Sequence, residues 1–423
     1  MHRPVLVTGA DQHQGLAVIR GLGLAGIPVI AAGPGRWNPG FASRFAVAKA
    51  RYTPPAEAPD RFVDEVLAIA RRHQAGMIMP AVESTLVALD ARRDEVDTIC
   101  PLAAPSSATL NRVIDKSRTL ELARSVRVPT PVTVVADDVA EALYAATQLT
   151  FPLALKPRGN GLHRATPHHL DFKVKYVRSL DELRRVLEHF RDAGTLPLIQ
   201  EYVGGTGVCV SALFDDQRAI ALLPYARVRE VPLTGGVSVV RETLPLDERL
   251  RDYTVRLLAA LHWRGIAMVE FKYDAPADRL VLMEINGRFQ ASTALSLDAG
   301  LNLPELAWRL HAGLPLPEQP PRWRVGVRER WLRGDTRALF AHLTGATAAQ
   351  AAPPARAALP GRLRAVKEYL ADFRPGVRYD EFKWYDPLPG LVEIANWFRP
   401  LLRPLLRRRF TRPIASATRS PAP

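Results

Sequence analysis

The chain has 423 residues, 47% of them hydrophobic, and a formal net charge of +14, which is room for two or three packed domains. Two cysteines, Cys100 and Cys209, exclude a disulfide scaffold and suit a reducing, cytoplasmic compartment. No apolar run is long enough to span a bilayer, no targeting segment is expected before the first strand, and G-x-S-x-G and H-E-x-x-H are both absent.

The first hundred residues read as α/β. Arg3–Ala10 has the composition of a buried parallel strand, Gly15–Gly23 of a helix and Ile27–Gly33 of a second strand, a Rossmann-like β-α-β opening. Gly9 and Gly15 do not complete G-x-G-x-x-G, so a dinucleotide site is not expected. Met77–Pro80 reads as another strand. Glu83 follows it, either as a helix-start carboxylate or as a contact for an amine.

Lysine is scarce, 8 residues against 49 arginines, and two lysines stand in notable places. Lys116 opens a helix after Val113-Ile-Asp. Lys156 ends the apolar strand Phe151-Pro-Leu-Ala-Leu and precedes a Gly-containing loop that carries His168 and His169. A compact ammonium beside such a loop suits phosphate. Residues 181–193 form an amphipathic helix by spacing, as do 247–263. Leu198-Ile-Gln200-Glu201-Tyr202-Val203 is a strand that stops at Gly204 and Gly205, a hinge able to offer backbone groups and an acid to an adenine edge. Arg227 and Arg229 lie two apart, on one face if the segment is a strand. With Arg241 they are the candidates for clamping an acceptor carboxylate, although so many arginines also make good surface residues.

Met268–Lys272 and Met283–Phe289 form the most informative stretch. Two β-branched strands joined by Asp274-Ala-Pro-Ala-Asp278 predict an antiparallel hairpin. Each strand carries one carboxylate, Glu270 and Glu284. The alternation of Glu284, Asn286 and Arg288 puts all three on one face. Three hard oxygen donors beside an arginine suit magnesium with a polyphosphate; a hairpin facing only water would alternate in the same way.

The order of these parts, Asp115-Lys116, apolar-Lys156-Pro157, Gln200–Val203, Val269-Glu270-Phe271 and Glu284-Ile-Asn286-Gly-Arg288-Phe, resembles the ATP-grasp superfamily. It is most similar to the carboxylate–amine ligase and carbamoyl-phosphate-synthase-like branch, over residues 1–318. The resemblance implies an α/β protein: a Rossmann-like N-terminal lobe (1–105), an ATP-grasp domain with two α+β subdomains (106–318) and a C-terminal helical extension (319–423). It implies ATP with Mg2+ or Mn2+ as cofactors. Lys116 and Lys156 would contact the phosphates, while Gln200, Glu201, Tyr202 and Val203 would form the adenine hinge. Glu270, Glu284 and Asn286 would ligate the metal. Arg288, with Lys156 and Arg241, would carry the catalytic charge stabilisation. Arg227, Arg229, Arg241 and Glu83 would face the substrate.

The implied reaction is ADP-forming: a small-molecule carboxylate becomes an acyl phosphate, and an amine then displaces phosphate. A biotin-carboxylase-like acyl-phosphate enzyme with another acceptor and a non-catalytic ATP-binding module remain the alternatives. The chain departs from the family pattern in three places. No acid in Gly204–Val210 is available to ribose, the loop after Lys156 is poor in glycine, and Gly287 and Gln290 replace bulkier residues. A carbamoyl phosphate synthase large chain would hold the grasp twice, and this chain holds it once.

Residues 346–361 read as an Ala/Pro-rich linker. Beyond it, Tyr369, Phe373, Tyr379, Phe382, Trp384 and Tyr385 suit either a small appendage or a segment folded back on the core. Residues 391–423 hold seven arginines and one acid, Glu393. Leu391, Ile394, Ala395, Phe398, Leu402 and Leu405 follow helical spacing with Trp397 alongside, while Pro400 and Pro404 argue for two short segments. This pattern fits either peripheral contact with an anionic inner-membrane surface or a helix docked on the protein. Nucleic acid is not expected, because no recognition motif accompanies the charge.

Overall fold

A computed structural model describes residues 2–158, 174–190, 196–233 and 236–410, without the side chains of 400–410. Its strands form three sheets. In the first, β1 (Val5–Thr8), β2 (Val29–Gly33), β3 (Ala46–Arg51) and β4 (Met77–Pro80) run parallel in the order β3-β2-β1-β4. β1, β2 and β4 are buried along their whole lengths, which is why they read as continuous apolar runs rather than alternating ones. This is the expected Rossmann-like lobe.

The second sheet is antiparallel: β5 (Thr133–Val134), β6 (Leu153–Lys156), β7 (Lys175–Val177) and β8 (Leu198–Glu201), in the order β5-β8-β6-β7. Helices Val139–Ala146 and Leu180–His189 cover one face, burying Leu143, Leu183, Val186 and Leu187 against Leu153 and Leu155. Both helices start on a side-chain cap, Asp138 accepting from Glu141 N and Ser179 from Glu182 N.

The third and largest sheet comprises β9 (Thr206–Asp216), β10 (Arg218–Val231), β11 (Val237–Thr243), β12 (Trp263–Asp274), β13 (Arg279–Asn286), β14 (Arg328–Arg330) and β15 (Arg378–Tyr379). Its order is β13-β12-β9-β10-β11-β14-β15. Phe214, Trp263, Val269, Phe271 and Leu282 from this sheet join Leu257 and Leu258 of the helix Glu248–Ala260 in the main core.

The C-terminal quarter is built into this sheet. β14 pairs with β11, and β15 pairs parallel to β14, so no gap separates the strands before residue 318 from those after it. The aromatic-rich segment folds back on the core. The Arg330 guanidinium lies 4.2 Å from the Tyr369 ring centre and 4.4 Å from that of Phe373. Two expectations are corrected here. Residues 346–361 are not a loose linker: they include helices Ala346–Gln350 and Pro353–Ala357, with Thr347, Ala351 and Ala352 buried. Alanine is the strongest helix former, so an Ala-rich stretch between prolines helps to build helices once there is a surface to pack on. The tail forms one helix, Leu388–Phe410, through both Pro400 and Pro404. Each proline removes one N–H donor without ending it.

Candidate active site

The hairpin forms as the expected antiparallel pair. Asp274 faces Arg279, Glu270 faces Glu284 and Met268 faces Asn286. Residues directly opposite in an antiparallel pair have Cβ atoms about 5 Å apart, so the two carboxylates are side by side. A register shift between Glu270 and Phe271 leaves Met283 as the extra residue in β13. Such a bulge turns neighbouring side chains to one side, and both Met283 and Glu284 line the same hollow.

Around this pair the other candidates assemble. Asn286 Nδ2 donates to Glu284 Oε1 at 2.8 Å, and Arg288 Nη2 donates to Asn286 Oδ1 at 3.4 Å. Arg288 Nε reaches Glu83 Oε2 at 3.3 Å, tying the hairpin to the first turn of the Glu83–Asp90 helix in the N-terminal lobe. Lys156, at the end of β6, brings Nζ to 3.9 Å from Met283 Sδ. Lys116 opens the helix Lys116–Ser125, whose N-terminus is fixed by the Asp115 side chain accepting from Ser117 N. Its backbone N–H donates to Arg158 O at 2.9 Å, which holds the start of the loop after Lys156 against that helix. Glu83, Lys116, Met283, Glu284, Asn286 and Arg288 rim a hollow of ≈520 Å³, open solvent included, whose floor is aliphatic.

The charges in this cleft act on one another at short range. Burial pushes Glu270 up to about 7, against the pull of the Arg227 guanidinium and with Glu284 and Glu230 adding repulsion. Burial acts on Glu284 too, but Lys116, the Asn286 amide, Lys156 and Arg288 outweigh it and hold this carboxyl below its usual range. Lys156 is lowered by burial, although Glu284 and Glu270 oppose the shift. Two adjacent half-buried carboxylates, one of them easily protonated, are a donor set that a small divalent cation would relieve. Among the described residues no group of three or more His, Cys, Asp or Glu converges as a metal cage. Magnesium takes one or two carboxylates and leaves its other positions to water and phosphate, so Glu270, Glu284 and the Asn286 oxygen fit it or manganese.

Sequence reasoning missed Lys272 and Glu230. Lys272 Nζ donates to Val203 O at 3.1 Å and lies 5.8 Å from the Tyr202 ring centre, at the hinge. It is two residues from Glu270 on one strand, a spacing that alternation alone could have flagged. Glu230 forms an ion pair with Arg227, its Oε1 lying 2.7 Å from Nε. Arg227 also pairs with Glu270, crossing over β9 where Gly207 offers no side chain; a Cβ there would meet Arg227 Cδ at 2.8 Å. At the hinge itself, Gly205 has φ +91°, and a Cβ would meet Tyr273 O at 2.1 Å, so only glycine fits.

Several expected roles are corrected. Arg229 and Arg241 do not join Arg227. The register of β10 shifts between Arg227 and Arg229 and again between Arg229 and Glu230, so these residues do not form a simple alternating face. Arg229 is bound by Asp335 at 2.5 Å and Asp372 at 2.6 Å. Arg241, 1% exposed, is bound by Asp380 at 2.8 Å with Glu329 at 3.6 Å. Both hold the C-terminal segment and are not presented to the hollow. Arg227 is beside the site, but its guanidinium is taken by Glu270, Glu230 and the Gly236 carbonyl. Gln200 is buried, its amide donating to Thr133 Oγ1 at 3.0 Å. The Glu201 carboxylate accepts from Arg279 Nη2 at 2.8 Å and from Val132 N at 3.1 Å. Tyr202 packs edge-on against Tyr176, centroids 5.7 Å apart. His168 and His169 lie outside the described residues.

A parallel N-terminal lobe, a small antiparallel sheet and a large sheet whose hairpin carries paired carboxylates define an ATP-grasp fold. Residues 195–334 match the family model described as ATP-grasp in the biosynthetic pathway with Ter operon. A D-alanine–D-alanine ligase of Acidiphilium cryptum is 29% identical over 187 residues, 43% of this chain and 56% of the relative. The carbamoyl phosphate synthase large chain of Thermus thermophilus is 27% identical over 241 residues, 54% of this chain and 22% of the relative. The biotin carboxylase of Campylobacter jejuni, solved with β-γ-ATP, superposes with a TM-score of 0.60 at 16% identity, covering 77% of this chain and 74% of that one. The chain thus spans about half the length of that D-alanine–D-alanine ligase and less of the synthase. It has the ATP-grasp fold, and its sequence relatives are D-alanine–D-alanine ligases and carbamoyl phosphate synthase large chains.

Proposed function

We propose that the chain is an ATP-dependent, ADP-forming ligase that activates a small-molecule carboxylate as an acyl phosphate and transfers the acyl group to an amine. The observation that carries this reading is the directly opposed pair Glu270–Glu284, with Asn286 and Arg288 bonded into it and Lys156 and Lys116 close enough to shift its protonation. Glu270, Glu284 and Asn286 would hold Mg2+ or Mn2+, which when bound neutralises charge on the β- and γ-phosphates and orients them.

Lys156 and Lys116 bind phosphate oxygens in this reading, and the hinge from Glu201 to Val203 holds adenine. A substrate carboxylate oxygen attacks the γ-phosphorus and ADP departs. Arg288 offsets the negative charge on the transferring group. The amine nitrogen then adds to the activated carbonyl carbon, inorganic phosphate leaves with the C–O bonding pair, and the nitrogen gives up a proton. A free carboxylate lacks such a leaving group, and this is the reason for spending a phosphoryl group on it. Glu83, tied to Arg288, borders the substrate side. The chain needs no nucleophile of its own, since alignment and charge neutralisation supply the rate. Both cysteines are free and buried, which fits a cytoplasmic site of action.

The experiment is ADP release from Mg-ATP against pooled carboxylic acids, each pool with and without pooled amines, with Glu284→Gln as the blank. Release that needs both pools and vanishes in the blank supports the ligase. Release with carboxylates alone points to a different acceptor, and release from no pool rejects this reading.

A further inference from the structure

We propose that the Leu388–Phe410 helix is a docking element for an anionic lipid bilayer. Leu388, Leu391, Ile394 and Phe398 are 55%, 56%, 37% and 53% exposed. Spacings of three, three and four residues put them on one stripe. The active-site cleft has no use for this stripe. Two exposed tryptophans flank it: Trp384, 90% exposed, just before the helix, and Trp37, 55% exposed. The Trp37 carbonyl accepts from Asn396 Nδ2 at 3.1 Å, and its ring lies 6.0 Å from the Arg399 guanidinium. Tryptophan combines an apolar body with a polar N–H and favours the boundary between acyl chains and headgroups.

The charge pattern selects the sign of the surface. From Leu391 to Pro423 the sequence has seven arginines and one acid. That acid, Glu393, is turned inward: it is 8% exposed and 3.9 Å from Arg333 on the helix Leu332–Leu343. The outward side of the described part of the helix therefore carries apolar groups and Arg399 but no negative charge. Among the described residues no helix is long and apolar enough to cross a membrane, so this one lies along the surface. Its 23 residues span about 34 Å at 1.5 Å per residue. Nucleic acid would use the arginines but would leave the leucine and phenylalanine stripe in water; a bilayer takes up both.

The test is flotation of the full chain with vesicles of phosphatidylcholine alone and of phosphatidylcholine mixed with phosphatidylglycerol. Wild type floats with the mixed vesicles and not with the neutral ones. Replacing Arg407, Arg408 and Arg409 by Gln weakens partitioning by roughly a hundredfold, from about 1 kcal/mol per basic residue at an anionic surface. Leu391→Glu with Phe398→Glu weakens it by about tenfold or more, with an unchanged melting temperature because both positions are exposed.

Wild type that ignores mixed vesicles overturns the proposal, as does equal flotation with both kinds. Full binding by the double-glutamate variant also overturns it, because the contact would then be charge alone. Binding to duplex DNA without vesicle binding assigns the arginines to nucleic acid instead. Self-association abolished by the double-glutamate variant, again without vesicle binding, assigns the stripe to a second copy.

Discussion

Arg227 is the internal counter-ion of the acidic cleft, and replacing it with Met tests the electrostatic account of the site. The guanidinium, 9% exposed, pairs with Glu270 and, at 2.7 Å, with Glu230, each 15% exposed. Removing one partner of a buried pair costs about 3–5 kcal/mol, since the charge left behind is uncompensated. Lys156 and Lys272 remain close to Glu270, and Glu270 can take up a proton near neutrality, so the lower end, about 3 kcal/mol, is expected. At about 2.1 cal/mol/K per residue, a chain of this length has an unfolding entropy near 0.9 kcal/mol/K, and the melting temperature falls by about 3 °C. It falls further if the large sheet melts separately. Mg-ATP should narrow the gap between variant and wild type, because a cation bound by Glu270 and Glu284 replaces the lost positive charge. Thermal melts with and without Mg-ATP measure both effects. A fall under about 1 °C, or a gap that Mg-ATP leaves unchanged, refutes the assignment of Arg227 as counter-ion to the metal-holding pair.

Glu284→Gln is expected to lower ADP release by ~10²–10³-fold, the usual loss when one preorganised charged contact is removed, with the melting temperature nearly unchanged; retention of a tenth of the activity sinks its role as a ligand. Arg20→Met should cost about 3–5 kcal/mol, since the fully buried guanidinium bonds Asp386 at 2.9 Å and the carbonyls of Asp380, Glu381 and Asp386. Limited proteolysis should then cut between 380 and 386, and an unchanged digestion pattern counts against this clamp. Glu381 is buried with neither carboxylate oxygen bonded, and burial, then Asp380, pushes it up to about 8 from 4.5. A carboxyl raised in the folded state favours folding only while protonated, so its share of stability is intact below about pH 4.5 and is lost as pH climbs to about 8. The full span is at most about 5 kcal/mol. Melts of Glu381→Gln should therefore converge with wild type near the acid end and exceed it at the alkaline end; parallel curves at all pH values contradict this.

What the sequence made legible was local. β1, β2 and β4 could be read because both faces are buried and the whole run is apolar. The β12–β13 hairpin could be read because its short connection fixes its partner. Glu284, Asn286 and Arg288 are spaced by two and end up bonded to one another. The bulge at Met283 was not legible, because a single extra residue leaves the composition of a strand unchanged. β14 and β15, with three and two residues, are too short for any period to show. Their place in the sheet is set by pairing with β11, far away in sequence. The Ala-rich stretch was misread because composition reports propensity, whereas its packing surface is supplied by distant chain.

The arginines show the same limit most clearly. Arg227, Arg229 and Arg241 are equivalent by type and by strand context, yet they have three different fates, decided by which acids the fold brings near. Arg241 meets Asp380, 139 residues on, and Arg229 meets Asp335 and Asp372. Only Arg227 faces the cleft, because Gly207 on the next strand lets its side chain cross. Arg229, Arg241 and Arg20 take their acidic partners from residues 329–386, so the segment that looked like an appendage neutralises charges buried within the large sheet and the N-terminal lobe. Ion pairs this buried contribute little net stability over apolar packing, but they tolerate only the correct partner. The C-terminal quarter is therefore held in one arrangement, which sets the position of the Leu388–Phe410 helix relative to the cleft.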